Sequence, residues 1–446
     1  MPGDVHRRAR HRGRRGRGDR GHDARAGVRA RRGGRADQHR RDPRPSPLPQ
    51  ELPGHSSRAR PATGSQPRLI TRSAFVRAPD RSRVYLDDAG AAPVLPQVVE
   101  ALRGLPEGNP SSPHTEGRTA RAALDRARDL AAHALGARRT EITFTSSGTE
   151  AVNLALFGAA RRLSRHGVVV TWAAEHQSVL GAVRRLQSEG HAVEIAGVDN
   201  AARAGADAIP PGAALVSIGL ANNEVGTIQP VAEVIERAHD VGALVHVDAC
   251  AGPRWIPIPG GADLVSLSGH KLGAGRGGIL FVRDGVRIDP QLFGGPQEWG
   301  RRAGREDVAA ATAVATALSV CVRQREARGR SAAHQSASLR SLLEEMGGTL
   351  TGAGPRLPNF ASCAFDDRRG EDLLLALDLA GVAASSGSAC ASGSLDPSHV
   401  LLAMGLDLRR ALGSLRLTTG YATTDEEVSR AHTIISPALT RTPVRA

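Results

Sequence analysis

The stretch SLSGHKLGAG, residues 266–275, holds Lys271, the only lysine among 59 lysine and arginine residues. A chain that writes every other basic residue as arginine has no need of a lysine for surface charge. An amine does what guanidinium cannot: it gives up its proton when its surroundings depress its pKa, attacks a carbonyl carbon and forms an imine. A thiol is the second candidate nucleophile. Cys390 sits in SSGSACASGS (385–394), among Ser, Gly and Ala residues that cannot build a core around it. That is the setting of a thiol on an exposed loop, suited to nucleophilic work that requires it to travel. Cys250, Cys321 and Cys363 have apolar or strand contexts and read as structural. The four cysteines form no CxxC pair and no metal-ligand spacing, so neither a disulfide framework nor a metal site is expected.

Other residues gather chemistry around the lysine. TSSGTEAVNLAL (145–156) places Gly148 and Thr149 where a strand turns into a helix. Backbone N–H groups at such a turn bind phosphate, although Ser and Thr there also serve as ordinary caps. VHVDAC ends a strand on Asp248, either a structural ion pair or the carboxylate that keeps a pyridine nitrogen protonated. A pyridinium held in that way makes pyridoxal 5'-phosphate an electron sink. Lys271 follows 23 residues later, after one more strand, with Ser268 and His270 beside it as candidate phosphate ligands. His176, in AAEHQSVL, is placed to stack on an aromatic ring and move protons. Arg416, in GSLRLTTG, is the residue type that clamps a carboxylate with two parallel hydrogen bonds.

These residues must be held by an ordered frame. From about Val84 short apolar runs alternate with segments of helical spacing. The runs EITFTS (141–146), VVVTW (168–172), ALVSIGL (214–220), LVHVDA (244–249), LVSLS (264–268) and GGILFVR (277–283) are predicted strands. Segments 118–135, 151–165 and 231–242 are predicted helices, and an Ala-rich helix starts near Glu306. Strands that are apolar on both faces, alternating with helices, imply an α/β fold with a mostly parallel sheet. Ligands of such sheets bind at the carboxyl ends of the strands, where the candidate residues fall.

Composition sets the remaining limits. The apolar fraction of 40% suffices for a buried core. No apolar run is long enough to span a bilayer, and no apolar segment follows the basic start as a secretory signal requires. A cytoplasmic enzyme is the expectation. Residues 1–60 carry 18 arginines and 6 acidic residues, so +12 of the net +14 charge lies there. That segment is too polar to bury a core. It reads as a solvated tail, or as sequence upstream of the true start, rather than as a nucleic-acid-binding arm or a targeting peptide.

Taken together, GNPSSPH, TSSGTEAVNLA, EHQSVL, ANNEVGTIQP, HVDAC, SGHKLG, SSGSACASGS and SLRLTTGYATTDEE resemble the cysteine desulfurases of the NifS/IscS type. These belong to the class V group of fold-type I pyridoxal-phosphate enzymes. The resemblance runs from about Tyr85 to Val428. With the tail (1–80) expected to be disordered from its composition, the resemblance implies a large cofactor-binding domain with a seven-stranded sheet (81–300) and a smaller C-terminal α/β domain with the catalytic-cysteine loop (301–446). It implies that Lys271 forms a Schiff base with the cofactor, that Asp248 pairs with the ring nitrogen, and that His176 stacks on the ring. Gly148, Thr149, Ser268 and His270 would hold the phosphate, and Asn223 and Arg416 the substrate carboxylate. Cys390 would take sulfur from L-cysteine as a persulfide, leaving L-alanine. An acceptor protein, an iron–sulfur scaffold or a tRNA-thiolation protein, would receive that sulfur from a homodimeric enzyme. The alternative is a lyase of the same fold acting on selenocysteine or another β-substituted amino acid. The chain departs from the family pattern in having Ala251 where a Gln is usual, Arg305 where a Thr is common, and no threonines in LDDAGAAP (86–93).

Overall fold

The computed structural model describes residues 83–163, 167–387 and 396–442; the Arg-rich tail and Cys390 lie outside them. Its strands are β1 (Val84–Tyr85), β2 (Ile142–Thr145), β3 (Val168–Trp172), β4 (Val193–Ala196), β5 (Ala213–Gly219), β6 (Leu244–Asp248), β7 (Leu264–Ser268), β8 (Gly278–Val282), β9 (Thr349–Leu350), β10 (Phe360–Ala364), β11 (Val382–Ala383) and β12 (Ser414–Thr418). Seven of them form one sheet in the order β2-β8-β7-β6-β5-β3-β4. Only β8 runs against the other six. The fold is therefore α/β with a mostly parallel sheet, as expected. Strands β5 to β7 are buried on both faces because helices cover both sides, which is why they read as continuous apolar runs.

The sequence pattern named six of the seven strands. The seventh, β4, pairs only with β3, and its two central residues are exposed. An edge strand of four residues with two in water carries almost no apolar signal. The opposite edge, β2, is covered by side chains. Glu298 accepts the Phe144 N–H at 2.8 Å and Trp299 Nε1 donates to the Ile142 carbonyl at 3.1 Å. Arg128, buried with Glu298, pairs with it at 2.7 Å. Glu298 and Trp299 reach these positions with φ of 49° and 62°, a left-handed backbone held in place by those contacts.

Helix boundaries follow capping chemistry. The helix Thr115–Leu135 starts three residues before its predicted position because the His114 side chain accepts from Gly117 N–H. It stops at Gly136, in the left-handed conformation. Helix Gly148–Ala160 is capped by Ser147, and ten of its 13 residues are buried against the sheet. The Ala-rich segment becomes a 38-residue helix, Val308–Glu345, capped by Asp307. Its first half packs Val314 and Leu318 into the core of the large sheet. Its last turns carry Leu339, Leu342 and Leu343 into a second apolar cluster with Phe365, Leu373 and Ile435.

That second cluster surrounds an antiparallel sheet ordered β12-β10-β9. Strand β1, from the other end of the chain, pairs in parallel with β11 in a separate two-stranded sheet. A further bridge links Asp87 to Thr418 at the end of β12. The segment after β1 is thereby held beside Arg416. Among the described residues, no helix is long and apolar enough to cross a membrane.

Candidate active site

The connections leaving β2, β3, β5, β6 and β7 at their carboxyl ends converge on one cavity of about 360 Å³. Its wall holds Gly148, Thr149, His176, Asn223, Asp248, Ser268, His270, Lys271 and Arg416, together with Ala251 and Gly387. All the site residues singled out from sequence therefore line a single pocket, except Cys390, which lies outside the described residues. Gly387, three positions before it in sequence, is on the wall. Arg305 sits elsewhere, in a cleft with Phe144, Ser146, Arg276 and Glu298.

Lys271 lies on the one-turn helix Gly269–Leu272 that follows β7. A side chain at Gly269 would collide with the Arg276 carbonyl, so only glycine lets this turn fold back against the chain entering β8. At one end of the cavity Gly148 opens its helix. A Cβ there would lie 2.5 Å from Cys250 Sγ and 2.8 Å from Ser268 Cβ. The backbone N–H groups of that helix start are thus brought close to Ser268 and His270, whose Oγ and Nδ1 are 2.8 Å apart. Burial, followed by the Lys271 and His176 charges, pushes His270 down to about 4. It meets an anion as a neutral hydrogen-bonding ring.

Asp248 ends β6 almost fully buried. Its Oδ1 accepts from the Cys250 N–H and from the Ser266 hydroxyl, each at 3.0 Å. Burial works to raise its pKa, but His246, His176 and Cys250 outweigh it and hold the carboxyl below its ordinary value. His246 is itself buried and, through desolvation, pushed down to about 4. Asp248 is held in its ionised form by these neighbours and by its hydrogen bonds. They form a directed chain. Ser266 donates to Asp248, so it accepts from His246 Nε2 at 3.2 Å, which leaves His246 Nδ1 to accept from Ser217 Oγ at 2.9 Å. His176 caps its own helix, Gln177–Ser188, by accepting the Ser178 N–H at Nδ1 at 3.1 Å. Burial, followed by the Lys271 charge, lowers its pKa.

This geometry agrees with what the chain is similar to. The family model described as aminotransferase class V matches residues 84–431. The chain belongs to that family. A cysteine desulfurase of Nostoc sp. is 39% identical over 368 residues, covering 78% of this chain and 91% of the relative. Cysteine desulfurase IscS of Methanosarcina thermophila is 39% identical over 374 residues, covering 80% and 92%. Among solved structures, a NifS-like protein superposes with a TM-score of 0.75 at 32% identity, over 80% of this chain and 99% of that one. A structure described as SspA in complex with cysteine gives 0.66 at 29% identity, over 76% and 100%. Family members work with pyridoxal 5'-phosphate. The residues present fit that group: a helix start stripped of its Cβ for the phosphate, an ionised buried carboxylate for the ring nitrogen, and one amine in the same cavity.

Sequence reasoning missed three wall residues. Cys250, read as structural, lines the cavity beside Gly148. Burial and the neighbouring Asp248 raise its pKa well above normal, so it remains a thiol. Asp87 lines the cavity and pairs with Arg416. Glu175, directly before His176, is buried and accepts the Gly219 N–H at 2.9 Å. Its position at a strand end was a usable signal; its solvation was not. Burial, with Asp248 adding to it, raises the Glu175 carboxyl to about 8.

Two outcomes follow. Gly148→Ala forces Cys250 and Ser268 apart and should weaken cofactor affinity by about tenfold or more, read by equilibrium dialysis of pyridoxal phosphate, while the far-ultraviolet circular dichroism stays unchanged. Glu175 should make stability fall with rising pH. Between its ordinary 4.5 and its folded value near 8 the folded chain keeps a proton that the unfolded chain has lost. Glu175→Gln removes that burden, so its melting temperature should match the parent near pH 4.5 and exceed it increasingly up to pH 8. A constant gap across that range would contradict the assignment.

Proposed function

We propose that this chain is a pyridoxal-phosphate-dependent cysteine desulfurase, converting L-cysteine to L-alanine and passing the sulfur on from Cys390. The observation that carries the reading is the meeting of the sole lysine with Asp248 and His176 at the ends of β7, β6 and β3, with Arg416 on the same cavity wall. When bound, pyridoxal phosphate supplies an electron sink for charge developing at the substrate Cα. The protein does the rest. Gly148, Thr149, Ser268 and His270 hold the phosphate end. Asp248, fixed by Ser266 and Cys250, keeps the ring nitrogen protonated. His176 would pack on the ring, and Asn223 and Arg416 would orient the substrate carboxylate. Lys271 would hold the cofactor and supply the amine that takes the Cα proton.

Sulfur transfer needs a thiolate that reaches the substrate sulfur. The three described cysteines are poor candidates. Burial raises Cys250 well above its usual range, Cys321 to about 11, and Cys363 higher still. Cys390 remains. Its thiolate attacks the substrate sulfur, an S–S bond forms, the Cβ–S bond breaks, and the electron pair left at Cβ takes up a proton to give the alanine methyl group. Relatives that carry the names IscS and NifS support an acceptor protein as the destination of that sulfur, an iron–sulfur scaffold or a tRNA-thiolation protein. We read the enzyme as a cytoplasmic homodimer; the exposed Leu292, Phe293 and Trp299 support a partner surface.

Purified holoenzyme given L-cysteine should release alanine, with sulfide when a reductant is present. Cys390→Ser should keep the cofactor and bind L-cysteine yet lose alanine release by orders of magnitude, since a hydroxyl is a poor nucleophile toward sulfur at neutral pH. After brief exposure of the parent, mass spectrometry should find the extra sulfur on the Cys390 peptide alone. Full turnover by the serine variant would move the assignment to a lyase acting on selenocysteine or another β-substituted amino acid. Lys271→Arg conserves charge but supplies no free amine. It should lose the visible absorbance of bound cofactor, and borohydride should fix no cofactor to it.

A further inference from the structure

Arg416 does not wait bare for a substrate. Its side chain is 2% exposed, and its Nη1 donates to the Asn223 carbonyl at 2.7 Å. Its Nη2 donates to Asp87 Oδ1 at 2.8 Å, and the Asp87 side chain is 25% exposed. The Arg416 Nε is buried and has no hydrogen-bond partner among the described residues. Nε and Nη2 are the two prongs of one guanidinium edge, the edge that takes a carboxylate with two parallel bonds. Asp87 thus occupies one prong and leaves the other empty. It is held there by its backbone bridge to Thr418, two residues beyond Arg416 on β12. Asp87, Asn223 and Arg416 all line the cavity that contains Lys271.

We propose that Asp87 is a specificity-determining residue: a resident one-pronged counterion on Arg416 that the α-carboxylate of an amino-acid ligand must displace. The inference rests on Arg416 being the carboxylate clamp. An entering carboxylate takes both prongs, so it gains a hydrogen bond that Asp87 lacks, while the buried cation exchanges one counterion for another. Between turnovers Asp87 keeps that cation neutralised. It also returns when the ligand leaves, which loosens the hold on the alanine product. A ligand without a carboxylate gains nothing from Arg416, because Asp87 is already there.

The test uses holoenzyme and L-alanine, which carries no sulfur and so does not involve Cys390. Binding is followed by calorimetry and by the visible absorbance of the cofactor. Asp87→Asn removes the competing charge and keeps the shape, so L-alanine should bind about tenfold tighter than to the parent. L-Alaninamide, which keeps the amine and lacks the carboxylate, should bind both proteins equally. General structural damage does not produce a selective gain in affinity. Unchanged or weaker alanine binding, or equal tightening of alaninamide, would overturn the proposal. Asp87→Ser, read in the same way, decides the matter if the Asn variant does not retain cofactor. Arg416→Ala separates the two readings. If it binds alanine like the parent, the clamp itself is wrong. If it loses alanine while the Asp87 variants do not tighten, only the counterion proposal falls.

Discussion

The site depends on parallel register. Gly219 on β5 pairs with Asp248 on β6, and Asp248 pairs with Ser266 on β7. Parallel strands in that alignment finish on one edge of the sheet, so the loops after them share one space. Side chains alternate between faces along a strand, and a slip of one residue would carry Asp248 away from the Ser266 hydroxyl that holds it. The chain Ser217–His246–Ser266–Asp248 crosses three neighbouring strands and exists only while that register is kept.

Within that frame, burial does opposite things to neighbouring groups. Asp248 stays ionised because His246, His176 and the Cys250 N–H outweigh its burial. Glu175, buried and beside the Asp248 charge, is raised to about 8 despite accepting the Gly219 N–H. The cavity therefore holds an ionised carboxylate and a protonated one within a short stretch of strand ends, a separation set by their neighbours rather than by residue type. The described cysteines are likewise kept as thiols by desolvation. The arginine side of the pocket is balanced by Asp87, delivered from a strand far away in sequence.

Much of this was legible in the residues. The lone lysine, the Asp at a strand end and the Ser-Gly-Thr turn each carry a chemical reason for their identity, and all lie in the cavity. Strands β5, β6 and β7 announced themselves because both faces are buried. Strand β4 did not, since an exposed edge of four residues carries no such signature. The place of Cys250 on the cavity wall was not legible, since Ala249 and Ala251 flank it in sequence, whereas in space it lies against Gly148.

The sequence by itself determined which groups are chemically able to act: one amine, a strand-end carboxylate, a glycine turn, and a thiol among small residues. These are local properties, set by side-chain chemistry and by a few neighbours. Only the tertiary structure decided their charge states and their partners. Glu175 and Asp248 are both carboxylic acids; their different protonation follows from the neighbours the folded chain brings to each, histidines and an N–H to Asp248, and the Asp248 charge to Glu175. Asp87 and Arg416 are 329 positions apart, and no pattern along the chain joins them. Their pairing follows from β1 docking on β11 while the Asp87 backbone bridges to the end of β12, which sets a carboxylate against a buried guanidinium that needs a counterion.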